Sequence, residues 1–328
     1  MEAGKIPNTV LEKIILDPIQ KYGITRSELL STPSVGEDCA AINTGGDTLL
    51  LSTDPITGAL NDIGRLAVHI NANDIASAGG EPLGIMITAL LPVGITEEQV
   101  EKIMKDVYLN ANSVGISVIG GHTEITDAVN KPVLSCTIIG KCKKPILTSG
   151  ANVGDKVIIT KSAGLEGTGI LAKDHREYLL KYLPEEIIDN ASGFLNELSV
   201  VPEGRIGTKF GATAMHDVTE GGILGACYEA AQCSGNGINV YIDKIPVRKE
   251  TKLIADVFGI DPYRLISSGC MLMTHPSPEE MLEEMKKSGI SAAVIGEMTD
   301  GEKLVIGSDG SEILGEPQSD SLYKIKFR

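Results

Sequence analysis

Residues 49–82 have the sequence LLLSTDPITGALNDIGRLAVHINANDIASAGGEP, which contains a strand, a loop and a helix in succession. The three leucines at 49–51 form an apolar run without a helical period, which predicts a buried strand that ends at Ser52-Thr53-Asp54. Asp62 is placed to cap a helix with apolar residues at helical spacing, and Gly79-Gly80 would end it. This strand–helix unit is the one around which we expect the fold to be organised.

Two aspartates in this unit are unusual for their surroundings. Asp54 lies at the end of the strand, and Asp74 lies inside the apolar helix, where it has no capping role. Because a buried carboxylate is costly unless a cation lies beside it, the pair predicts that a Mg²⁺–nucleotide complex binds between strand and helix.

Composition limits the classes of function. The chain has 328 residues, enough for one large or two ordinary domains. Its formal net charge of −15 argues against a general nucleic-acid binder, which needs a basic surface, but is compatible with ATP that arrives with magnesium. The sequence contains no run of about 18 consecutive apolar residues, so no transmembrane helix is predicted. The six cysteines include no C-x-x-C pair, so we expect no structural zinc site and a reducing, cytoplasmic location.

The order of predicted elements indicates an α/β or α+β fold. Strands are predicted at 83–91, 116–119 and 132–140, and a capping box at Thr96–Gln99 starts a helix that Gly115 ends. We therefore expect a sheet with helices on one face. The segment 141–155 is the best boundary, which gives domains 1–145 and 146–328.

The second half repeats the alternation. It is predicted to contain a strand at 156–160, a turn-rich loop at 162–169, a short strand at 212–215, a helix at 223–232, and later strands around one more helix. The tail, 311–328, is expected to lie on the surface.

Four aspartates recur in one kind of setting, next to small residues at the junctions of strands and helices. Mg²⁺ prefers hard oxygen ligands and usually binds a few carboxylates together with substrate phosphates. Each aspartate alone could equally be a helix cap or a turn residue. As a set they predict the metal site: Asp38, Asp54, Asp74 and Asp217.

Glycine-rich segments are the second candidate feature, because backbone N–H groups at such turns can bind phosphate. Each could also be a simple turn, and none is a Walker loop or a dinucleotide fingerprint. His122, which could instead be a solvated loop histidine, and Glu220 are the candidate catalytic residues. The predicted cofactor-binding residues are Gly120, Gly121, Thr123, Glu124, Gly164, Gly167, Thr219, Gly221 and Gly222.

Five motifs occur in a familiar order: GEDCAA at 36–41, STD at 52–54, NDIASAGGEP at 73–82, GGHTE at 120–124 and HDVTEGG at 216–222. In this order they resemble the AIR-synthase (PurM-like) superfamily. Its members include aminoimidazole ribonucleotide synthetase, selenophosphate synthetase, thiamine-monophosphate kinase and the hydrogenase-maturation carbamoyl dehydratase HypE. The length of the chain and the NDIASAGGEP motif are most similar to the HypE branch.

The resemblance implies two α/β domains, with the N-terminal sheets of two subunits paired in a homodimer. It implies ATP in a cleft near that interface, with magnesium on the four aspartates and with Gly120–Glu124 and Thr219–Gly222 lining the site. The shared chemistry of several members is phosphorylation of an amide-type oxygen. A maturation partner protein is a further implication, and neither nucleic acid nor a membrane is expected as a partner.

The sequence also departs from each branch. HypE proteins end in a cysteine, whereas this sequence ends Lys326-Phe327-Arg328. The N-terminal cysteine of selenophosphate synthetases and the Glu-Gly-Val-His-Phe element of thiamine-monophosphate kinases have no counterpart. Three hypotheses follow: an ATP-using enzyme that phosphorylates a small acceptor such as an amide or carbamoyl oxygen; a nucleotide-binding accessory protein in hydrogenase maturation without turnover; or a divergent thiamine-monophosphate kinase.

Overall fold

The computed structural model of the chain describes residues 8–17, 28–31, 34–37, 39–57, 62–325 and 327. The helices are α1 (Asn8–Leu11), α2 (Ile63–Ser77), α3 (Glu97–Val114), α4 (Leu165–Asp174), α5 (Arg176–Leu179), α6 (Glu185–Ser192), α7 (Val201–Phe210), α8 (Gly222–Ser234), α9 (Lys249–Phe258) and α10 (Glu279–Lys287). A π-helical turn spans Glu12–Leu16, and 3₁₀ turns span Thr148–Gly150, Gly193–Asn196, Ile242–Lys244, Pro262–Arg264 and Ser321–Lys324.

The strands form two sheets. They are β1 (Ala40–Asn43), β2 (Thr48–Ile56), β3 (Glu81–Pro92), β4 (Ser117–Thr126), β5 (Val133–Cys142), β6 (Lys156–Thr160), β7 (Ala214–Asp217), β8 (Gly237–Tyr241), β9 (Met271–His275), β10 (Ala292–Thr299), β11 (Lys303–Gly307) and β12 (Gly310–Ile313). The first sheet has the order β1-β2-β5-β3-β4, and the second has the order β12-β11-β8-β10-β6-β9-β7. Neighbours are antiparallel except for the pairs β3/β4 and β8/β11. The predicted mixed α/β fold is confirmed.

The N-terminal sheet is covered on one face only. Alternate residues of its strands, such as Leu50, Ile85 and Ile138, are fully buried against α2. The opposite face leaves Met86 and Ile119 exposed. Helices on one face of the sheet are therefore confirmed.

Strand β2 is longer than the sequence predicted. It continues through Asp54 and Pro55 to Ile56, paired all the way with β5. Among the described residues β1 pairs with β2 only as far as Leu51, so β2 is an edge beyond that point and tolerates a proline. Asp54 consequently lies within the strand, two residues before its end.

Helix α2 begins where predicted, but Asp62 does not cap it. Its side chain makes no cap hydrogen bond; both carboxylate oxygens instead lie 2.8 Å from Lys173 Nζ on α4. All residues of α2 except Arg65 are buried, because the helix lies between the N-terminal sheet and α7 of the second half. Helix α2 is thus the element that joins the two halves.

Two predicted glycine-rich turns are part of regular elements. Gly120, Gly121, His122, Thr123 and Glu124 are inside β4, so the predicted turn there is wrong. A Cβ on Gly121 would lie 2.0 Å from the Ile87 carbonyl oxygen of β3, so glycine is required by the close strand pairing. The predicted loop at 162–169 is also wrong beyond Gly164, because α4 begins at Leu165.

The sequence missed helices α7 and α9, and the tail is not confined to the surface. Asp320 and Ser321 are buried, although both fall in the segment expected outside the core. Within the described residues, no helix combines the length and the hydropathy needed to span a bilayer.

Candidate functional site

Two adjoining cavities lie between the halves of the chain. The first, called the groove, has a volume of about 510 Å³ and is open and polar, lined by Glu37, Ser52, Thr53, Asp54, Asp74 and Thr219 among others. The second, called the pocket, has a volume of about 350 Å³. Its polar wall comprises Asp54, Glu166, Thr219, Glu220, Ser268 and Tyr323. Asp54 and Thr219 line both cavities, so the groove and the pocket meet at these two residues.

The groove brings together two of the four predicted metal ligands. Asp54 and Ser52 lie on the face of β2 that points to α2, and Ser52 Oγ donates a hydrogen bond of 2.5 Å to Asp74 Oδ2. The Asp54 backbone N–H donates to Asn71 Oδ1 at 3.2 Å, which fixes the strand against the helix. Strand β2 and helix α2 therefore present Asp54 and Asp74 on one wall, as their positions in the sequence suggested.

The other two predicted metal ligands are not in this wall. Asp217 is buried at the end of β7 and lines neither cavity, although Thr219 follows it by two residues. Asp38 lies outside the described residues. No cluster of three or more His, Cys, Asp or Glu side chains arranged to hold a metal occurs in the part of the chain described. The two aspartates and the hydroxyl of Ser52 fit a Mg²⁺ ion that takes its remaining ligands from phosphate and water, and the metal site stays a prediction.

The loop Thr219–Gly222 lies at the site, but its glycines are explained by packing. Gly221 and Gly222 have φ angles of +86° and +62°, and a Cβ on Gly222 would lie 2.6 Å from the carbonyl oxygen of Tyr263. The Gly221 N–H donates to Asp320 Oδ2 at 2.7 Å. A phosphate on that N–H would have to displace the Asp320 carboxylate, so phosphate binding by these glycines stays a prediction.

The glycines at the start of α4 also serve close packing. A Cβ on Gly167 would lie 2.5 Å from Leu265 Cγ, and one on Gly164 would lie 2.9 Å from Thr251 Cγ2. The first turn of α4 therefore packs closely against Thr251 and Leu265. This approach buries Glu166 in the first turn and places it in the wall of the pocket.

The segment Gly120–Glu124 is not brought to the cavities within one chain. The register across the sheet runs Asp54, Cys136, Ile87 and Gly121, so three strand spacings, about 14 Å, separate Asp54 from β4. His122 is 69% exposed at the edge strand, with Nε2 3.6 Å from Glu124. Of the two candidate catalytic residues, only Glu220 lines the pocket.

Sequence reasoning missed Glu166 and Tyr323, which line the pocket, and Asp320, which lies behind its wall and accepts from the Gly221 N–H. The pKa of Glu166 is raised to about 7, mainly by burial and also by the charges of Asp320 and Glu220, while Ser268 opposes the shift. Burial also raises the pKa of Asp320 to about 6, against three backbone N–H donors. The Tyr323 hydroxyl donates to Glu220 Oε1 at 3.1 Å. Glu166 had a signal, an acidic residue among small and apolar ones; the two tail residues had none.

Comparison with known families identifies the fold. The N-terminal domain of AIR synthase related proteins matches residues 36–142, and the C-terminal domain of the same family matches residues 152–309. The chain belongs to the AIR synthase related family. This confirms the resemblance inferred from the five motifs; the domain boundary near residue 145 stays a prediction.

Similar proteins include several linked to hydrogenase maturation. A putative hydrogenase expression/formation protein of Methanocaldococcus jannaschii is 28% identical over 98% of this chain and 97% of its own length. The carbamoyl dehydratase HypE of Bradyrhizobium diazoefficiens is 28% identical over 80% of this chain and 78% of its own. The similarity to the HypE branch is therefore confirmed.

Solved structures show the same fold at lower identity. A HypE–HypF complex matches with a TM-score of 0.77, 24% identity and coverage of 94% of this chain and 99% of that one. AaThiL complexed with AMPPCP and TMP matches with a TM-score of 0.75, 22% identity and coverage of 97% and 99%. The hydrogenase maturation protein HypE in complex with ATP matches with a TM-score of 0.68, 19% identity and coverage of 98% of both chains.

Proposed function

We propose that this protein is a Mg²⁺- and ATP-dependent enzyme that phosphorylates a small acceptor, with an amide or carbamoyl oxygen as the acceptor group. The observation that carries the proposal is the pair of cavities that meet at Asp54 and Thr219. The polar groove suits the nucleotide phosphates, and the smaller, partly apolar pocket suits the acceptor. Similarity to proteins named carbamoyl dehydratase, and to structures with ATP and AMPPCP, supports the ATP-dependent part.

The charge of the groove supports a role for magnesium. Its lining includes the carboxylates of Glu37, Asp54 and Asp74, and no lysine or arginine among the described residues that line it. A triphosphate would be repelled there unless a cation accompanied it. Asp54 and Asp74 would hold Mg²⁺, which neutralises phosphate charge when bound. The chain's own residues then have one task, to position the two reactants, and positioning supplies much of the catalysis in phosphoryl transfer.

A homodimer is part of the proposal. On the open face of the sheet, strands β3 and β4 leave Leu83, Met86 and Ile119 between 40% and 53% exposed, an apolar area typical of an interface. Pairing of two such sheets would bury these side chains and bring β4 to a second chain. Similarity to the HypE of a HypE–HypF complex supports a maturation partner protein.

The test is ³¹P NMR of Mg·ATP with the wild-type protein and with Asp74→Asn, together with calorimetry of Mg·ATP binding. We expect ADP and phosphate from the wild type, with turnover and affinity lost in the variant and no change in melting temperature. Asp300→Asn, at an exposed carboxylate, is the matched control. Unchanged affinity in Asp74→Asn would contradict the site.

A second candidate is favoured by the structural similarity to AaThiL, solved with AMPPCP and TMP. Thiamine phosphate added to the same NMR experiment separates the two. Phosphorylation of thiamine phosphate would favour a thiamine-monophosphate kinase. Binding of Mg·ATP without turnover, with or without acceptors, would favour the accessory protein.

A further inference from the structure

One carboxyl group in the pocket lacks a complete set of partners. Glu166 is 2% exposed and its carboxyl lies beside Ser268, but its Oε2 atom makes no well-formed hydrogen bond with any described residue. A buried polar atom without a partner destabilises the folded state. The fold nevertheless holds this carboxyl in the wall of a cavity, next to Thr219 and Glu220.

The surroundings of Glu166 fix its position firmly. It is in the first turn of α4, whose close approach to Leu265 requires Gly167. The positive end of the helix dipole favours a carboxylate there, whereas the charges of Glu220 and Asp320 disfavour it. The group is therefore rigidly placed and is balanced between its two protonation states near neutral pH.

The remainder of the pocket indicates the size and polarity of a ligand. Its volume of about 350 Å³ is near the lower end for small-molecule sites. The wall that completes it is apolar, formed by Ile56, Leu66, Ile70, Ile170, Ile266 and Leu322. A small molecule with an apolar body and one hydrogen-bond donor at the Glu166 end would satisfy both surfaces.

We propose that Glu166 binds the N–H of a primary amide acceptor and takes its proton when the amide oxygen is phosphorylated. This inference rests on the proposed function. The amide oxygen attacks the γ-phosphorus of ATP, the bond from that phosphorus to the β-phosphate oxygen breaks, and ADP leaves with the electron pair. The amide nitrogen gives one N–H proton to the Glu166 carboxylate. The products are ADP, an O-phosphorylated imidate that has a neutral nitrogen and an anionic phosphate, and a protonated Glu166.

Asp54 and Thr219 lie between the proposed acceptor site and the proposed phosphate site. They line both cavities, so an acceptor whose nitrogen binds Glu166 has the groove on its other side. The acceptor class is therefore a small, mainly apolar primary amide. A tertiary amide, which has no N–H, would leave Glu166 Oε2 without a partner and is excluded.

The binding test uses isobutyramide and its N,N-dimethyl analogue as probes. Each is titrated into the protein saturated with Mg·AMPPCP, and binding is followed by saturation-transfer NMR. We expect the wild type to bind the primary amide at least tenfold more tightly than the dimethyl analogue. Glu166→Gln, which keeps an acceptor oxygen, should retain the preference, and Glu166→Leu should lose it. Glu177→Gln, at an exposed carboxylate, is the control.

The proton-transfer test follows ADP formation from ATP with and without isobutyramide. We expect the amide to stimulate the wild type, and Glu166→Gln to reduce the stimulated rate about 100-fold or more while it still binds the probe. Equal binding of the two probes, an unchanged preference in Glu166→Leu, or no stimulation of the wild type would overturn the assignment. Calorimetry of Mg·ATP binding distinguishes failure of the Glu166 assignment from failure of the proposed function. If the wild type does not bind Mg·ATP, the proposed function itself is wrong.

Discussion

Asn73 provides a direct test of how the halves of the chain are held together. The side chain is fully buried in α2, and Nδ2 donates to the Leu198 carbonyl oxygen at 2.9 Å. Its Oδ1 accepts from the Val200 N–H, also at 2.9 Å. One amide thus satisfies two backbone groups of the segment that leads into α7, and it does so next to Asp74.

Replacement of Asn73 by alanine would leave both backbone groups buried and unpaired. Each such group costs about 1–3 kcal/mol. Alanine returns only about 0.6 kcal/mol through its higher helix propensity. We therefore expect Asn73→Ala to lower the free energy of unfolding by about 3 kcal/mol.

The assay is equilibrium unfolding in urea, followed by circular dichroism and tyrosine fluorescence, since the chain has no tryptophan. Asn112→Ala is the matched control, because Asn112 is an exposed asparagine in the last turn of α3. It removes the same atoms from a helix without unpairing a buried group, so it should change stability by less than about 0.5 kcal/mol. If the free energies of unfolding of the two variants differ by under about 1 kcal/mol, the hydrogen bonds of Asn73 do not hold the halves together.

Three further results are expected. Gly121→Ala should destabilise the protein by about 3 kcal/mol, because its Cβ would lie 2.0 Å from a backbone oxygen of β3, whereas Gly46→Ala has open space; equal thermal melts would refute the tight pairing. A double-mutant cycle of Asp62→Asn and Lys173→Met should give a coupling of about 1 kcal/mol that falls with added salt, and zero coupling would show that the ion pair contributes nothing. Burial raises the pKa of Glu166 from 4.5 to about 7, so the native state binds the extra proton and the wild type loses stability as pH rises through that window. Urea unfolding of Glu166→Gln should therefore show a gain over the wild type that grows by about 3 kcal/mol between pH 4.5 and 8, and a constant difference would refute the shift.

Local signals in the sequence determined the elements that could be predicted. The capping box at Thr96–Gln99 and the left-handed Gly115 bound α3 as expected, because a cap depends on residues within one turn of each other. The apolar run at 49–51 predicted β2. The position of Asp74 inside an apolar helix marked it as a candidate site residue, and it lines the groove. The order of five motifs gave the family, which is confirmed.

Residues distant in sequence decided the rest. Asp62 had the position of a cap, but Lys173, 111 residues away, is its partner. The segment Gly120–Glu124 had the composition of a turn, but pairing with β3 makes it a strand. A short-range pattern carries no information about such partners.

The sequence by itself therefore determined the family, the helix-covered sheet, and Asp54 and Asp74 as neighbours on a strand and the next helix. Only the tertiary structure decided that Glu166 lies in a pocket wall and that the tail reaches the loop at Gly221 through Asp320. The physical reason is that burial, and the pKa shift it causes, depend on what packs around a side chain. The contact between Gly221 and Asp320 joins residues 99 apart, and it forms only when the second half is folded.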